Sequence, residues 1–506
     1  MVDLIVVGAG LGGLTAAALA AAEGLEVLVL EAHTRPGGCA GDYWRKGLRF
    51  PSGATLLSGF EPGGLHRQVY RRLGLVVRAR PLDQVMEVLL PDETVRIPTE
   101  RAAWDLEWRR AFPGQERAKA HFWRHAQYLA DQAYWLAQRR PTLPPRRLSD
   151  LGRLALLARP ALLGALPALW RTVGDQLRAS GADRDARHRR FLDAQLLISM
   201  QCESDQAVAL NGALALELYR YGCFHVPGGA AGIAADLEAS LRASGGRIDY
   251  RRAVRVVSPD PAGWRVRTAE GGDERAAQVI LNPPIWNLPA LLGEHCPAWI
   301  RRRAAHTPRG WGALLLNLVV DRDGLGDLPR FAQTIESYDG ELGEGRSAFV
   351  SLLPADNARR ANLAMLSVST HSRAEAWFGL SREGYQERQQ ITLERLRGAA
   401  RRVVPDLDRR LRHLELATPV TFQRFTGRAQ GMVGGIPQTP GQANFGAISH
   451  RAGPPGLWLC GDTIFPGPGT VGVTLSGIQA AHSAVRAWRP AACGTRSARP
   501  GEVWMS

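Results

Sequence analysis

At 506 residues with 45% hydrophobic content, the chain can bury a sizeable core in two or three domains, which excludes general disorder. Its formal net charge of +15 would suit nucleic acid, but the basic residues are dispersed and no reader motif accompanies them, so a nucleic-acid partner is excluded. A basic exterior also suits an anionic membrane surface, and scattered cysteines without C-x-x-C or metal-ligand spacing predict a reduced compartment and no metal site.

At the N terminus no basic region precedes a cleavable apolar segment, so a non-exported, cytoplasmic protein is expected. Asp3 to Val7 predicts a buried strand, and "GAGLGG" then places Gly8, Gly10 and Gly13 in the spacing G-x-G-x-x-G. "LTAAALAAAEG" predicts a helix ending at Gly24, and "LEVLVLE" a second strand ending in Glu31. Gly8 permits the tight turn, Gly10 lets the backbone approach a pyrophosphate, and Gly13 lets the helix lie close to the sheet. The pyrophosphate would meet the free N–H groups of the helix N-terminus, and Glu31 would accept hydrogen bonds from an adenosine ribose. An adenine dinucleotide follows, FAD or NAD; the strand-end carboxylate disfavours a 2′-phosphate.

After Glu31, "AHTRPGGCAG" brings Arg35, Gly37 and Gly38. The pattern E-x-x-x-R-x-G-G resembles the second signature of flavoproteins in the amine oxidase and carotenoid desaturase superfamily. By that resemblance the double glycine runs beside the flavin end of FAD, with the arginine near its ribityl-phosphate portion.

From 81 to 222 the chain reads as largely helical. "HFWRHAQYLADQAYWLAQ" carries Phe122, Trp123, Tyr128, Tyr134 and Trp135 near helical spacing, a pattern that suits a core stripe and also an apolar ligand wall. "LGRLALLARPALLGALPALW" (Leu151 to Trp170) is broken by Arg153, Arg159, Pro160 and Pro167, too short to span a bilayer; it suits buried helices or an interfacial segment. Glu203, Glu217, Tyr219, Tyr221 and His225 lie where a substrate cavity could meet the cofactor, but no acid or base is assigned among them.

Phe224 to Val257 predicts an amphipathic helix opened by Pro227-Gly228-Gly229 and closed by Gly245-Gly246, then a strand. The same superfamily has this V-P-G-G helix, and by resemblance Val254 would touch the adenine. "WRVRTAEG" and "RAAQVILNPP" predict two more strands, the second ended by Asn282-Pro283-Pro284. Near the C terminus "LWLCGDTIFPGPGTVGVTLSG" ends a strand at Gly461-Asp462 and opens a helix at Gly469-Thr470-Val471. Asp462 would accept from a ribityl hydroxyl, while the helix start directs N–H groups at the flavin pyrimidine ring.

These elements predict an α/β fold. A Rossmann-type FAD-binding domain, a doubly wound parallel sheet, is assembled from 1–75, 225–285 and 445–490. An α+β substrate domain is interleaved from 76–224 and 286–444, and 491–506 forms a loose tail.

"FPSGATLLSGFEPGGLHRQVYRRLGL", "AFPGQERAKAHFWRHAQ", "RRPTLPPR" and "TGRAQGMVGGIPQT" resemble segments of the bacterial carotenoid 3,4-desaturases, close relatives of the carotene cis-trans isomerases. The resemblance covers nearly the whole chain. It implies that enzyme-bound FAD takes two hydrogens from an apolar polyene near one end group, with quinone or oxygen as the electron acceptor and peripheral attachment to a membrane. A hydride would leave an allylic carbon while a proton leaves its neighbour; the delocalised charge requires no strong base, so positioning carries the reaction. The alternatives are a cis-trans isomerase of the same fold and an amine oxidase of the wider superfamily. Two positions depart from the family pattern: Thr463 stands where Gly-Asp-Ser is common, and Pro468 replaces the Gln or Glu between Gly467 and Gly469.

Overall fold

The computed structural model describes residues 1–492 apart from 46, 308, 327 and 355–361. The loose-tail expectation for 491–506 lies outside the described residues from 493 onward; up to that point the last helix continues through Ala492.

Val2–Val7, apolar except for Asp3 and buried from Leu4 onward, forms the central strand of the first sheet. Val27–Leu30 and Asp273–Leu281 flank it, both parallel. Arg247–Asp249 extends the sheet beyond Val27–Leu30, and Leu457–Leu459 pairs in parallel with the end of Asp273–Leu281. The hairpin of Val254–Asp260 and Gly263–Thr268 adds antiparallel strands at the same edge. Helices Leu11–Ala22, Gly229–Ala243 and Thr470–Ala492 pack on one face through an alanine-rich core. Short helices between 285 and 306 bury Ile285, Leu288, Leu292 and Ile300 against the other. The architecture is α/β with a Rossmann-type parallel sheet. Its glycine loops lie at the carboxyl ends of the strands, where such sheets open a crevice for ligands.

A second, eight-stranded sheet is built around Trp311–Asp321 and Leu363–Ser372. Gln84–Leu89 joins it in parallel beside Phe331–Ile335, and Thr94–Pro98 closes that edge. This hairpin interrupts the segment read from sequence as largely helical. Its inward residues Val88 and Val95 alternate with more exposed ones, the strand period. Beyond it, helices including Arg101–Ala111, Glu116–Gln138, Ala186–Met200 and Ala209–Tyr221 form a core that also takes in Phe331 and Ile335 of the sheet. Phe122 and Trp123 belong to that core, so this part of the aromatic stripe is structural.

Candidate functional site

The first glycine loop is shaped by close contacts. Gly8 has φ +95°, and its carbonyl accepts a hydrogen bond from Asn282 Nδ2 at 3.3 Å. A Cβ on Gly10 would lie 2.8 Å from that Nδ2, and one on Gly13 would lie 2.2 Å from the Gly8 carbonyl oxygen. Gly10 caps the helix Leu11–Ala22, leaving its first N–H groups facing the crevice. Glu31 follows the second strand; its carboxylate accepts from the backbone N–H of Ala9 at 2.6 Å and of His33 at 2.7 Å, which fixes it beside the loop. Gly37, at φ +107°, donates to the Ala9 carbonyl at 2.8 Å and draws the second signature against the first.

The C-terminal loop meets this cradle from the opposite side. Gly461, at φ +109°, donates its N–H to Ser476 Oγ at 2.9 Å. The side chains of Asp462 and Arg428 are each 13% exposed; Arg428 Nη2 donates to Oδ2 at 2.7 Å, and the other carboxylate oxygen, Oδ1, is buried without a partner. Burial opposes the charge on Arg428, but Asp462 and Cys39 beside it hold its pKa above the ordinary arginine value. The Thr463 hydroxyl accepts from Ile285 N–H at 3.0 Å, so the change from serine keeps a hydroxyl employed in holding the loop. Thr470 begins the long C-terminal helix, and Gly469 before it has φ +85°.

Both cradles line one continuous cavity of about 1780 Å³. That exceeds the ~300–1,000 Å³ typical of a single small-molecule pocket, leaving room for an extended cofactor and a long substrate together. Gly8, Gly10, Glu31, Arg35, Gly37, Gly38, Val254, Gly461, Asp462, Gly469, Thr470 and Val471 all face it. Gly13 does not; it lies beneath, where its missing side chain lets the helix approach the strand. Arg35 sits at the mouth, half-exposed and 3.6 Å from Asp42. The deep end is walled by apolar residues such as Met86, Leu197, Leu210, Leu214 and Phe349, and by Ala133, Leu136 and Ala137 from the helix of the aromatic stripe. Small and aliphatic residues of that helix thus face the cavity, while its Phe122 and Trp123 pack elsewhere.

Of the five groups considered for acid–base work, only Tyr219 lines the cavity, and its hydroxyl donates to Gln195 at 2.7 Å. Glu217 is buried against Arg101 at 3.2 Å, and Tyr221 donates to Asp131 at 2.7 Å. Glu203 and His225 do not reach the cavity wall. His371 does, and burial lowers its pKa to about 4, so it is a neutral imidazole near pH 7. Among the described residues, no cluster of His, Cys, Asp or Glu is placed to hold a metal ion.

Three residues in this wall have no site role in the sequence reading, which uses Asn282 only as the end of a strand. Asn282 braces the loops around Gly8 and Gly461, Arg428 pairs with Asp462, and Gln438 lies against Gly467. Arg428 and Gln438 fall within "TGRAQGMVGGIPQT", where the resemblance marked the segment but no physical signal picked out either side chain.

The arrangement fits FAD. Two helix N-termini face one crevice, one beside a strand-end carboxylate suited to a ribose and the other beside a buried carboxylate oxygen that lacks a donor. A polyhydroxylated ribityl chain supplies such a donor, and bare glycine backbone leaves room for a flat ring.

A family model described as an NAD(P)-binding Rossmann-like domain matches residues 6–73. A chloroplastic prolycopene isomerase of Daucus carota is 26% identical over 495 residues, covering 95% of this chain and 79% of the relative. An all-trans-retinol 13,14-reductase of Danio rerio is 22% identical over 490 residues, covering 87% of this chain and 79% of the relative. Among solved structures, a putrescine oxidase variant superposes with a TM-score of 0.63 at 17% identity, covering 96% of this chain and 99% of that one. This last likeness is one of fold. The chain is an enzyme of the FAD-dependent oxidoreductase type.

Proposed function

We propose that this enzyme uses FAD to alter the conjugated double bonds of a long apolar polyene, and that the reaction is desaturation of an acyclic carotenoid near one end group, at the 3,4 position. The observation that carries the reading is the cavity, which continues from the cofactor cradle into a deep apolar end. The named substrates of the two curated relatives, prolycopene and all-trans-retinol, are polyenes and support the same class.

Bound FAD supplies two-electron redox chemistry. The chain's own residues would hold and align the reactants. Asp462 Oδ1 would accept from a ribityl hydroxyl, and the N–H groups at the start of Thr470–Ala492 would favour negative charge at the cofactor's far end. The aliphatic wall excludes water and presents C–H bonds without a charged competitor. Tyr219 is tied to Gln195, and His371 is neutral, so the deep wall is suited to orienting a polyene. The released electrons would pass to quinone or oxygen.

A membrane would deliver such a substrate. Among the described residues no single helix is long and apolar enough to cross a bilayer, but Leu148–Leu156 and Pro160–Leu169 form a pair bent by 110°. Leu148 and Leu156 are each 86% exposed, and Leu151, Leu163, Leu166 and Trp170 are exposed beside them. Arg153 lies among these residues, half-buried, while Arg159 turns inward, donating to Gln132 Oε1 at 2.6 Å over the Trp135 ring, so the exposed face of the pair is chiefly apolar. The pair follows directly on Pro141 and Leu143, which line the cavity. These features support an enzyme held peripherally on the membrane.

The second reading is cis-trans isomerisation, favoured by the match to a prolycopene isomerase over 95% of this chain. Holoenzyme mixed with an acyclic carotenoid in vesicles separates the two: a red shift of the main absorption bands marks an added double bond, and a change confined to the cis band marks isomerisation. An unchanged spectrum with every acyclic carotenoid offered, under oxidising and reducing conditions, overturns the polyene assignment.

A further inference from the structure

The loop Phe465-Pro466-Gly467-Pro468-Gly469 has two prolines, which remove backbone donors, and neither proline offers a polar side chain. A carboxamide from elsewhere in the chain fills that neighbourhood. Gln438 faces the same cavity as Pro468 and Gly469. Its side chain lies flat against Gly467: a Cβ built there would meet Nε2 at 2.7 Å and Oε1 at 3.0 Å. Gly467 has φ +121°, a conformation suited to glycine, so loop shape and contact make the same demand.

Gln438 is held from three directions. Its N–H donates to the Met200 carbonyl at 2.9 Å, and its carbonyl accepts from Val208 N–H at 2.9 Å. Its Nε2 donates to the Ile436 carbonyl at 2.9 Å. This last bond determines which end of the amide is oxygen, because a carbonyl cannot accept from Oε1. Oε1 is then a buried acceptor without a partner, on a residue only 5% exposed. An acceptor left in that state is unfavourable unless a ligand supplies the donor.

We infer that Gln438 is a cofactor-binding residue, its Oε1 accepting the imide N–H of the flavin pyrimidine ring. The inference rests on the FAD reading. In an oxidised flavin ring system that imide is the one N–H donor, and the adjoining helix start at Thr470 directs backbone donors at the same end of the ring, so it cannot satisfy that N–H. Gln438 complements it by offering an acceptor.

The test compares binding of FAD and of N3-methyl-FAD, which lacks the donor, to apoprotein, read by fluorescence titration. Wild-type protein is expected to prefer FAD by about five- to tenfold. Gln438→Leu and Gln438→Ala are expected to reduce that preference to within about twofold. Equal preference in wild type and both single variants overturns the inference. If a variant fails to fold, the midpoint potential of FAD bound to Gln438→Glu decides: the inference expects a lower potential than wild type, from a carboxylate beside the ring, and an unchanged potential overturns it. Failure of wild-type apoprotein to bind either flavin would instead refute the FAD reading.

Discussion

Arg428 donates from Nη2 to Oδ2 of Asp462 at 2.7 Å, while Oδ1 of the same carboxylate is buried without a partner. The pair joins residues 34 positions apart and leaves Asp462 half satisfied. Removing the arginine strands a buried carboxylate, and such losses cost about 3–5 kcal/mol. Arg428→Met is therefore expected to lower urea stability by that order and to yield protein with little bound flavin. Asp462→Asn keeps an acceptor oxygen but loses the charge; it should retain part of the flavin and bind it more weakly. Absorbance at the flavin band against protein concentration reads both outcomes, and full flavin occupancy in Arg428→Met would reject the role given to the pair.

Gly10 and Gly13 should separate binding from folding. The Cβ of Gly10→Ala would lie 2.8 Å from an amide on the Asn282 side chain, which can move. At Gly13 the obstacle is the Gly8 carbonyl oxygen at 2.2 Å, which is backbone. Gly13→Ala is expected to destabilise the fold by about 3 kcal/mol, the upper range for overpacking, and to lose flavin. Gly10→Ala should melt close to wild type while binding flavin less tightly. Thermal unfolding of both apoproteins checks the difference.

The parts of the site that could be read from sequence are those in which one short stretch states its own backbone demand. Gly8, Gly37, Gly461 and Gly469 all have positive φ, and Glu31 follows a strand whose four residues are apolar. Val254 follows from resemblance and Asp462 from its place at a strand end beside the glycine loop, and both face the cavity. Asn282, Arg428 and Gln438 were not legible, because each acts on a partner brought near only by topology, and Asn, Arg and Gln in loops have many ordinary uses. The hairpin at 84–98 was missed for a related reason: its edge position beside Phe331–Ile335 is set by a segment more than 200 residues away. The bent apolar pair was seen as an ambiguous segment. Only the folded structure shows that its leucines are exposed and not buried.

The leucines of that pair should control membrane attachment without touching the fold. Leu148, Leu156 and Leu163 are exposed, and burying a leucine side chain contributes about 1.5–3 kcal/mol. Replacing all three by serine is expected to weaken co-sedimentation with anionic vesicles by more than about 100-fold, while melting temperature and flavin spectrum stay near wild type. Unchanged sedimentation would remove this face from the attachment proposal.

The same helices are anchored to the cofactor domain by Asp150, which is 2% exposed. It accepts from the N–H groups of Arg146 and Arg147 at 3.0 and 3.1 Å and from Arg451 Nη1 at 2.6 Å. Burial opposes its charge, but these donors hold its pKa below the ordinary value. A depressed carboxylate contributes stability above its unfolded pKa of about 3.9 and loses it as pH falls through the folded value. Asp150→Asn is expected to cost about 3 kcal/mol at pH 7 and to speed tryptic cleavage at Arg153 and Arg159. Cleavage no faster than wild type would show that the anchor lies elsewhere.

Buried histidines should make the protein acid-labile at a higher pH than its carboxylates do. Burial lowers His188 to about 3, and Lys119 nearby adds to the effect. His66, His371 and His482 fall to about 4 and His450 to about 3, again chiefly through burial. A histidine whose folded pKa is depressed contributes its full stability above the unfolded value of about 6.5, and that contribution is lost as pH falls towards the folded value. At pH 5.5 each such imidazole costs about 1.4 kcal/mol relative to neutral pH, and several together approach the ~5–15 kcal/mol that holds a typical domain folded. His188 is packed among Phe112, Phe122 and Trp123, a site that accepts an apolar side chain. Urea unfolding at pH 7.5 and 5.5 should therefore show a fall of several kcal/mol in wild type. In His188→Leu that fall should be smaller by about 1.4 kcal/mol, and an undiminished fall would mean that His188 does not take part in the acid transition.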